Sequence, residues 1–318
     1  MRVGRLSPAG YQRVAGAALL ALLAIVVTGA AVRLTGSGLG CDDWPTCYEG
    51  QFRPESEFHA LVEFINRAIT GLVSVFVIAA VLGSLVRRPR RRDLTWLSLG
   101  LVAGVVLQIV LGAITTLTEL NPLVVGSHFL ASALLVANAT VLFYRSGCAD
   151  ELVSPARRPG DPGNADAAFF RRAASGLILG AAAVVVAGVV VTGAGPHGGD
   201  EHVERLSVAI TDAVRVHSVL TWLFLAALLV IARRARQRDP SLLRPVEVLL
   251  VVVVCQGVIG YAQYFTDIPA GLVGLHVAGA MAVWTATVWL WCVVRGPARQ
   301  PLAAPPLAAP SQSQSLSQ

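Results

Sequence analysis

Three histidines of this 318-residue chain stand inside apolar stretches, and two of them share the frame of a repeated pattern. Gln108, Gly112 and Val125-Gly126-Ser127-His128 recur as Gln256, Gly260 and Val273-Gly274-Leu275-His276, with equal spacing in both copies. His217 is the third. An ionisable side chain inside a membrane is costly and persists where it faces a bundle interior, a partner or a cofactor. Neutral imidazole is a common ligand of iron and other transition metals. A lone histidine of this kind is equally well explained as a packing residue hydrogen-bonded between helices. Repetition in one frame favours ligation, and the chemistry expected is that of a haem-binding helical bundle.

The elements that must position these residues follow from composition. Hydrophobic residues make up 55% of the chain and charged residues 14%, and the charges cluster between apolar runs, unlike the pattern of a soluble domain. A membrane-spanning helix needs about 20 mostly apolar residues. Eight runs meet that length, over 14–32, 61–86, 94–117, 122–144, 172–194, 210–232, 245–265 and 270–294. They lack the alternation of barrel strands. The first run follows Arg2, Arg5 and Arg13 but is longer than a secretory signal core, and is retained as a helix. All 25 basic residues are arginines. All but Arg33, Arg53, Arg67, Arg205 and Arg215 fall at the termini and in the loops after spans two, four and six, most densely at Arg87, Arg88, Arg90, Arg91 and Arg92. The positive-inside bias then places both termini in the cytoplasm of a multi-pass cell-membrane protein. The net charge of +6 thus reflects topology and gives no reason to expect nucleic acid.

The duplication extends beyond the histidines. Val27-Thr28-Gly29-Ala30 at the end of span one matches Val191-Thr192-Gly193-Ala194 at the end of span five, and Asn66 and Thr70 match His217 and Thr221. Four spans per copy give parallel repeats. The fold class expected is an all-α membrane protein, with eight transmembrane helices as two tandem four-helix bundles related by a pseudo-two-fold axis along the membrane normal. Residues 1–146 form the first half, 147–170 a Pro-, Gly-, Asp- and Arg-rich cytoplasmic linker, 171–295 the second half, and 296–318 a disordered tail. Asn66, His128, His217 and His276 each fall about six residues, or roughly 9 Å, below the outer end of their spans. Two facing helices offering imidazoles at one depth could clamp an iron.

The first external stretch, Val32-Arg33-Leu34-Thr35-Gly36-Ser37-Gly38-Leu39-Gly40-Cys41-Asp42-Asp43-Trp44-Pro45-Thr46-Cys47, resembles that of haem A synthases. Glu63-Phe64-Ile65-Asn66-Arg67 is similar to that family's Glu-x-x-His-Arg, and the outer histidines of spans four, six and eight also match. The resemblance implies an oxidoreductase that converts a methyl group of haem O to a formyl group through successive hydroxylations and loss of water from a geminal diol. It implies His217 and His276 as axial ligands of a bound haem b. His128 then faces the substrate haem O in the first half, where Asn66 stands in place of the family's histidine. Glu63 is implied to handle protons beside the oxidised carbon; by position alone it reads as a solvated acid at a helix start. His59 could replace the missing ligand or be an interfacial loop residue. Arg67 and Arg215, flanking the ligand positions, are the candidates for haem propionates, against ordinary lipid headgroup contacts. Cys41 and Cys47 lie outside the membrane, where an oxidising environment favours a disulfide, structural or redox-active. The equivalent loop of the second half, Gly195-Pro196-His197-Gly198-Gly199-Asp200, has no cysteine, and Cys148, Cys255 and Cys292 read as unpaired thiols. The functional neighbours implied are the haem O synthase and the cytochrome oxidase that receives haem A; a homo-oligomer is left open.

Two readings from other classes compete. A non-catalytic di-haem cytochrome b would relay electrons across or along the membrane; relay across it needs haems at both faces, whereas these histidines share one depth. A transporter of four-plus-four design would hold its polar site at the midplane, whereas these lie near the outer side.

Overall fold

The computed structural model describes residues 5–41, 43–48, 50–51, 57–148, 150 and 164–296. The tail read as disordered, most of the linker, and Asp42, Glu49, Arg53 and Glu55 lie outside these residues. Among the described residues are eight long helices: α1 Pro8–Leu34, α2 Phe58–Val86, α3 Arg92–Leu117, α4 Pro122–Ser146, α5 Asn164–Ala194, α6 Ile210–Arg238, α7 Leu243–Phe265 and α8 Ala270–Arg295. All eight are long and apolar enough to cross a membrane, so the protein is an all-α, multi-pass membrane protein. Local chemistry sets several of their starts. The Ser7 hydroxyl accepts the Gly10 N–H at 3.1 Å, the Asn121 side chain accepts the Leu123 N–H at 3.0 Å, and a proline follows each cap.

Each half closes on itself in chain order. Helix α1 packs on α2, α2 on α3, α3 on α4 and α4 back on α1, and α5 to α8 repeat that ring. The halves meet through α4 against α8, α1 against α8 and α4 against α5. Those last two contacts are equivalents under exchange of the halves, as a two-fold arrangement requires. A buried hydrogen bond of 2.7 Å from the Trp284 indole N–H to the Ala133 carbonyl ties α8 to α4 across this seam. Apolar side chains such as Leu72, Val75, Val219 and Val251 point outwards from α2, α6 and α7, where a bilayer is their solvent.

The repeat is also visible in backbone strain. Glu119 and Leu120 between α3 and α4, and Asp267 and Ile268 between α7 and α8, all have positive φ, from 49° to 60°. Left-handed backbone is unfavourable for leucine and more so for β-branched isoleucine. Both turns are held by the same bond one repeat apart, Leu120 N–H to Thr115 O at 2.9 Å and Ile268 N–H to Gln263 O at 2.8 Å. Tertiary contacts repay the strain. Leu120 is buried against Gly38 and Gly199 of the outer loops, and the Ile268 carbonyl accepts His197 Nε2 at 2.8 Å.

Two sequence expectations change at the arginine-rich end. Helix α5 begins at Asn164, inside the stretch read as linker, because Asp166 pairs with Arg234 at 2.7 Å and Phe169 lies beneath the same guanidinium. The dense arginine group is also more than a topology signal. Arg87 is fully buried and pairs with Asp150, while Arg91 pairs with Asp93 at 2.7 Å and donates to the Arg145 carbonyl at 3.1 Å.

Candidate functional site

Helices α6 and α8 face each other across the second bundle and bring His217 and His276 together, with ring centroids 6.3 Å apart and planes at 66°. His217 Nδ1 lies 3.0 Å from the Val184 carbonyl. A carbonyl only accepts, so Nδ1 carries the proton and Nε2 keeps its lone pair. His276 Nδ1 is buried without a protein partner. Two metal–nitrogen bonds of about 2 Å, together with the half-widths of two imidazole rings, span about 6 Å. The centroid spacing matches that of two imidazoles on either side of one iron, a donor set that would suit haem.

Glycines crowd both rings, and side-chain bonds hold the main chain that carries them. A Cβ on Gly188 would stand 3.2 Å from His217 Cε1, and one on Gly260 would stand 3.0 Å from His276 Cε1. Each imidazole is thus packed so closely that a side chain in place of the glycine would make the ring shift by a few tenths of an ångström. The Thr221 hydroxyl donates to the His217 carbonyl at 2.8 Å, and Gln256 Nε2 donates to the His276 carbonyl at 2.6 Å.

The first bundle repeats the frame with looser fittings. Gln108 Nε2 donates to the His128 carbonyl at 3.3 Å, and Ser132 Oγ reaches both Gln108 Oε1 and that carbonyl. A Cβ on Gly112 would lie 3.7 Å from His128 Cε1, an ordinary contact. His128 Nδ1 is buried and unpartnered. Asn66, at the place of His217, accepts the Thr28 hydroxyl on Oδ1 at 2.9 Å. The register that pairs Thr28 with Thr192 puts Ala24 where Gly188 stands. The places equivalent to the His217–His276 pair thus hold one histidine in the first half, His128, and among the described residues no cluster of three or more His, Cys, Asp or Glu is arranged to hold a metal ion.

An outer cap lies over α2. The Cys41–Cys47 disulfide closes a short loop, and Glu63, 6% exposed, accepts the Cys41 N–H on Oε2 at 2.8 Å. Arg67 donates to Glu63 Oε1 from Nε and Nη2, at 3.1 and 2.6 Å, and from Nη1 to the carbonyls of Asp43 and Thr46 at 3.0 and 2.9 Å. The Asp43 carboxyl is held below its ordinary range by hydrogen bonds from the Thr46 hydroxyl and the Trp44 N–H. Gly38 N–H donates to the Gly199 carbonyl at 2.9 Å, so this cap also touches the outer loop of the second half.

The solvated reading of Glu63 and the loop reading of His59 are corrected by this geometry. Glu63 is no solvated helix-start acid, since it is buried under the disulfide loop. His59 is helical rather than a loop residue; its Nδ1 meets Ser37 Oγ at 2.9 Å, and Gly40 packs on its backbone. Arg67 has most of its donors committed to Glu63 and the cap, leaving little for a propionate. Arg215 sits at the surface, paired with exposed Asp212 at 3.1 Å. Cys255 and Cys292 are free thiols, as expected, and the Cys148 thiol donates to the Tyr144 carbonyl at 3.4 Å. Sequence reading missed Gly188 and the Val184 carbonyl, because one is an ordinary small residue and the other is main chain. The Gln–Gly frame did carry a signal: both residues recur because each touches the histidine of its half.

A family model described as COX15-CtaA, cytochrome oxidase assembly protein, matches residues 12–196, more than half of the chain. Among curated proteins, a heme A synthase of Bacillus pumilus is 35% identical over 123 residues, covering 38% of this chain and 40% of that protein. A heme A synthase of Shouchella clausii is 31% identical over 135 residues, covering 42% and 44%. The chain spans less than half the length of these curated relatives.

Proposed function

The chain belongs to the COX15-CtaA family of cytochrome oxidase assembly proteins, and from that premise we propose that it is a haem A synthase, oxidising the methyl group of haem O to a formyl group. The observation that carries this reading is the asymmetry of the two halves. A wedged, facing pair, His217 and His276, suits a cofactor that stays. A half in which Asn66 takes the place of one member of that pair, leaving His128, suits a substrate that must leave.

In this reading the second half holds a haem b between His217 and His276, and the first half binds haem O beside His128. The haem irons supply the redox chemistry when bound. The protein orients and excludes. Val184 fixes the His217 tautomer, Gly188 and Gly260 admit the rings, and Gln256 sets the depth of α8. Over the first half, Glu63 is the acid–base group at the outer mouth of α2, held by Arg67 and the Cys41 N–H beneath the disulfide loop. That loop keeps bulk water from the reacting carbon. Asn66, at the place of His217 and with its carbonyl oxygen committed to Thr28, would offer a haem iron no strong ligand. Arg215, exposed at the outer surface, remains available to a propionate; Arg67 serves the cap. Both termini face the cytoplasm, and the functional neighbours are the haem O synthase upstream and the cytochrome oxidase that takes haem A.

The test is to purify the protein, record its optical spectrum, supply haem O, and chromatograph the extracted haems. Formation of haem A supports the enzyme. Haem b without conversion would favour an electron-relaying cytochrome, and absence of any haem would sink both.

A further inference from the structure

Trp222 on α6 donates its indole N–H to the Tyr261 hydroxyl on α7 at 3.0 Å. Both side chains lie on the outside of the bundle, 57% and 45% exposed, so neither contributes to the core. Tyr261 stacks on Phe265, which in turn meets Tyr264 edge-on, so an aromatic group covers the outer end of α7. The bridge stands beside the histidine pair in sequence. Trp222 follows Thr221, whose hydroxyl bonds the His217 carbonyl, and Tyr261 follows Gly260, against which His276 packs.

The repeat shows what the first half has instead. The register that pairs Asn66 and Thr70 with His217 and Thr221 sets Gly71 against Trp222, and the Gln–Gly frame sets Ala113 against Tyr261. Tyr264 and Phe265 become Thr116 and Leu117. A Cβ on Gly71 would meet nothing within 4 Å, and Ala113 ends in a methyl group that is itself buried. No side chain at these positions can bridge the seam between α2 and α3 as Trp222 and Tyr261 bridge that between α6 and α7.

We propose that Trp222 and Tyr261 form a latch across the α6–α7 seam that retains the resident tetrapyrrole, and that the unlatched α2–α3 seam is the lateral portal through which the tailed haem substrate enters and leaves from the bilayer. This rests on the functional reading above. A flat macrocycle with a long apolar tail is soluble in the membrane and can reach a bundle sideways, provided that two neighbouring helices carry no bulky side chains between them. A hydrogen bond between two membrane-facing aromatics has no water to compete with it, so the latch tends to stay closed.

The experiment measures transfer of haem from the purified protein to excess apomyoglobin, a readout independent of turnover. In W222G/Y261A, which installs small residues like those of the first half, haem b should leave about tenfold faster than in the wild type. Y261F keeps both aromatic groups and loses only the hydrogen bond, worth about a fivefold change, and it decides the matter if the small-residue variant does not fold. Conversely, G71W places an indole in open space at the portal; it should retain haem b and slow the spectral change on adding haem O. Haem loss at the wild-type rate from both aromatic variants, or unhindered haem O uptake by G71W, would overturn the latch and portal. A wild-type protein that carries no haem b would instead overturn the functional reading.

Discussion

Gly188 on α5 and His217 on α6 are packed so closely that a single added methyl group would stand 3.2 Å from the imidazole. The same relationship joins Gly260 to His276 at 3.0 Å, whereas Gly112 and His128 have 3.7 Å. The tight distances require the ring to shift; the looser one is ordinary van der Waals contact. G260A and G188A should therefore each lower the low-spin haem b signal, G260A more, while G112A leaves it unchanged. Optical and electron paramagnetic resonance spectra of the three variants at equal protein concentration check this ordering. A full low-spin signal in both G260A and G188A would show that the rings are not fixed by these glycines.

The replacement of histidine by Asn66 and of glycine by Ala24 at equivalent places makes a paired prediction. N66H alone introduces a ring opposite a methyl group and removes the oxygen that accepts the Thr28 hydroxyl. N66H/A24G restores both members of the second-half arrangement, at a helix-propensity cost of about 1 kcal/mol for the glycine. On the proposed function, the double variant should bind a second low-spin haem and turn over more slowly, because the first half would then offer the same histidine pair as the second. Haem quantitation per polypeptide reads the outcome. No second low-spin haem in the double variant counts against the first half as a pseudo-equivalent site.

Much of this was legible in the sequence because membrane helices write themselves in hydropathy, and because a duplication lets each half be checked against the other. The Gln–Gly–His frame marked the residues that touch the histidine of each half, and the helix ring brings His217 and His276 within 6.3 Å of each other. What sequence reading lost were contacts with no residue-type signature. The Val184 carbonyl that orients His217 is main chain. The burial of Glu63 depends on a disulfide loop folding back over α2, and hydropathy reads an acid at a helix start as solvated. Arg67 was assigned by its nearness to Asn66 in sequence, yet one helical turn brings it to Glu63, a neighbour that claims its donors first.

Glu63 connects the cap to the proposed chemistry, and its variants separate charge from structure. E63Q keeps the size and can still accept the Cys41 N–H, but it leaves Arg67 without its counter-charge. Haem A formation should fall by about 10²- to 10⁴-fold, the range expected for a lost acid–base group, while haem b content stays at the wild-type level. C41S/C47S opens the loop without touching the carboxylate and should reduce activity less than E63Q. If E63Q retains wild-type turnover, Glu63 belongs to the scaffold alone.

Arg87 offers a test of stability far from either histidine site. Its guanidinium is fully buried, pairs with Asp150 and donates to the Pro89 carbonyl, whereas Arg88 beside it is exposed. Removing one partner of a buried pair costs about 3–5 kcal/mol when the other charge is left stranded. The Asp150 side chain is 26% exposed, so solvent relieves part of its loss and the lower end of that range applies to R87M. D150N should cost more per atom changed, because it leaves the buried cation uncompensated. R88M should be silent, although it removes the same formal charge from the same loop. Thermal unfolding midpoints in detergent, read by fluorescence-detected size exclusion, rank the three variants. Equal midpoints for R87M and R88M would mean that this arginine cluster acts only as a topology signal, with no structural share for the buried member.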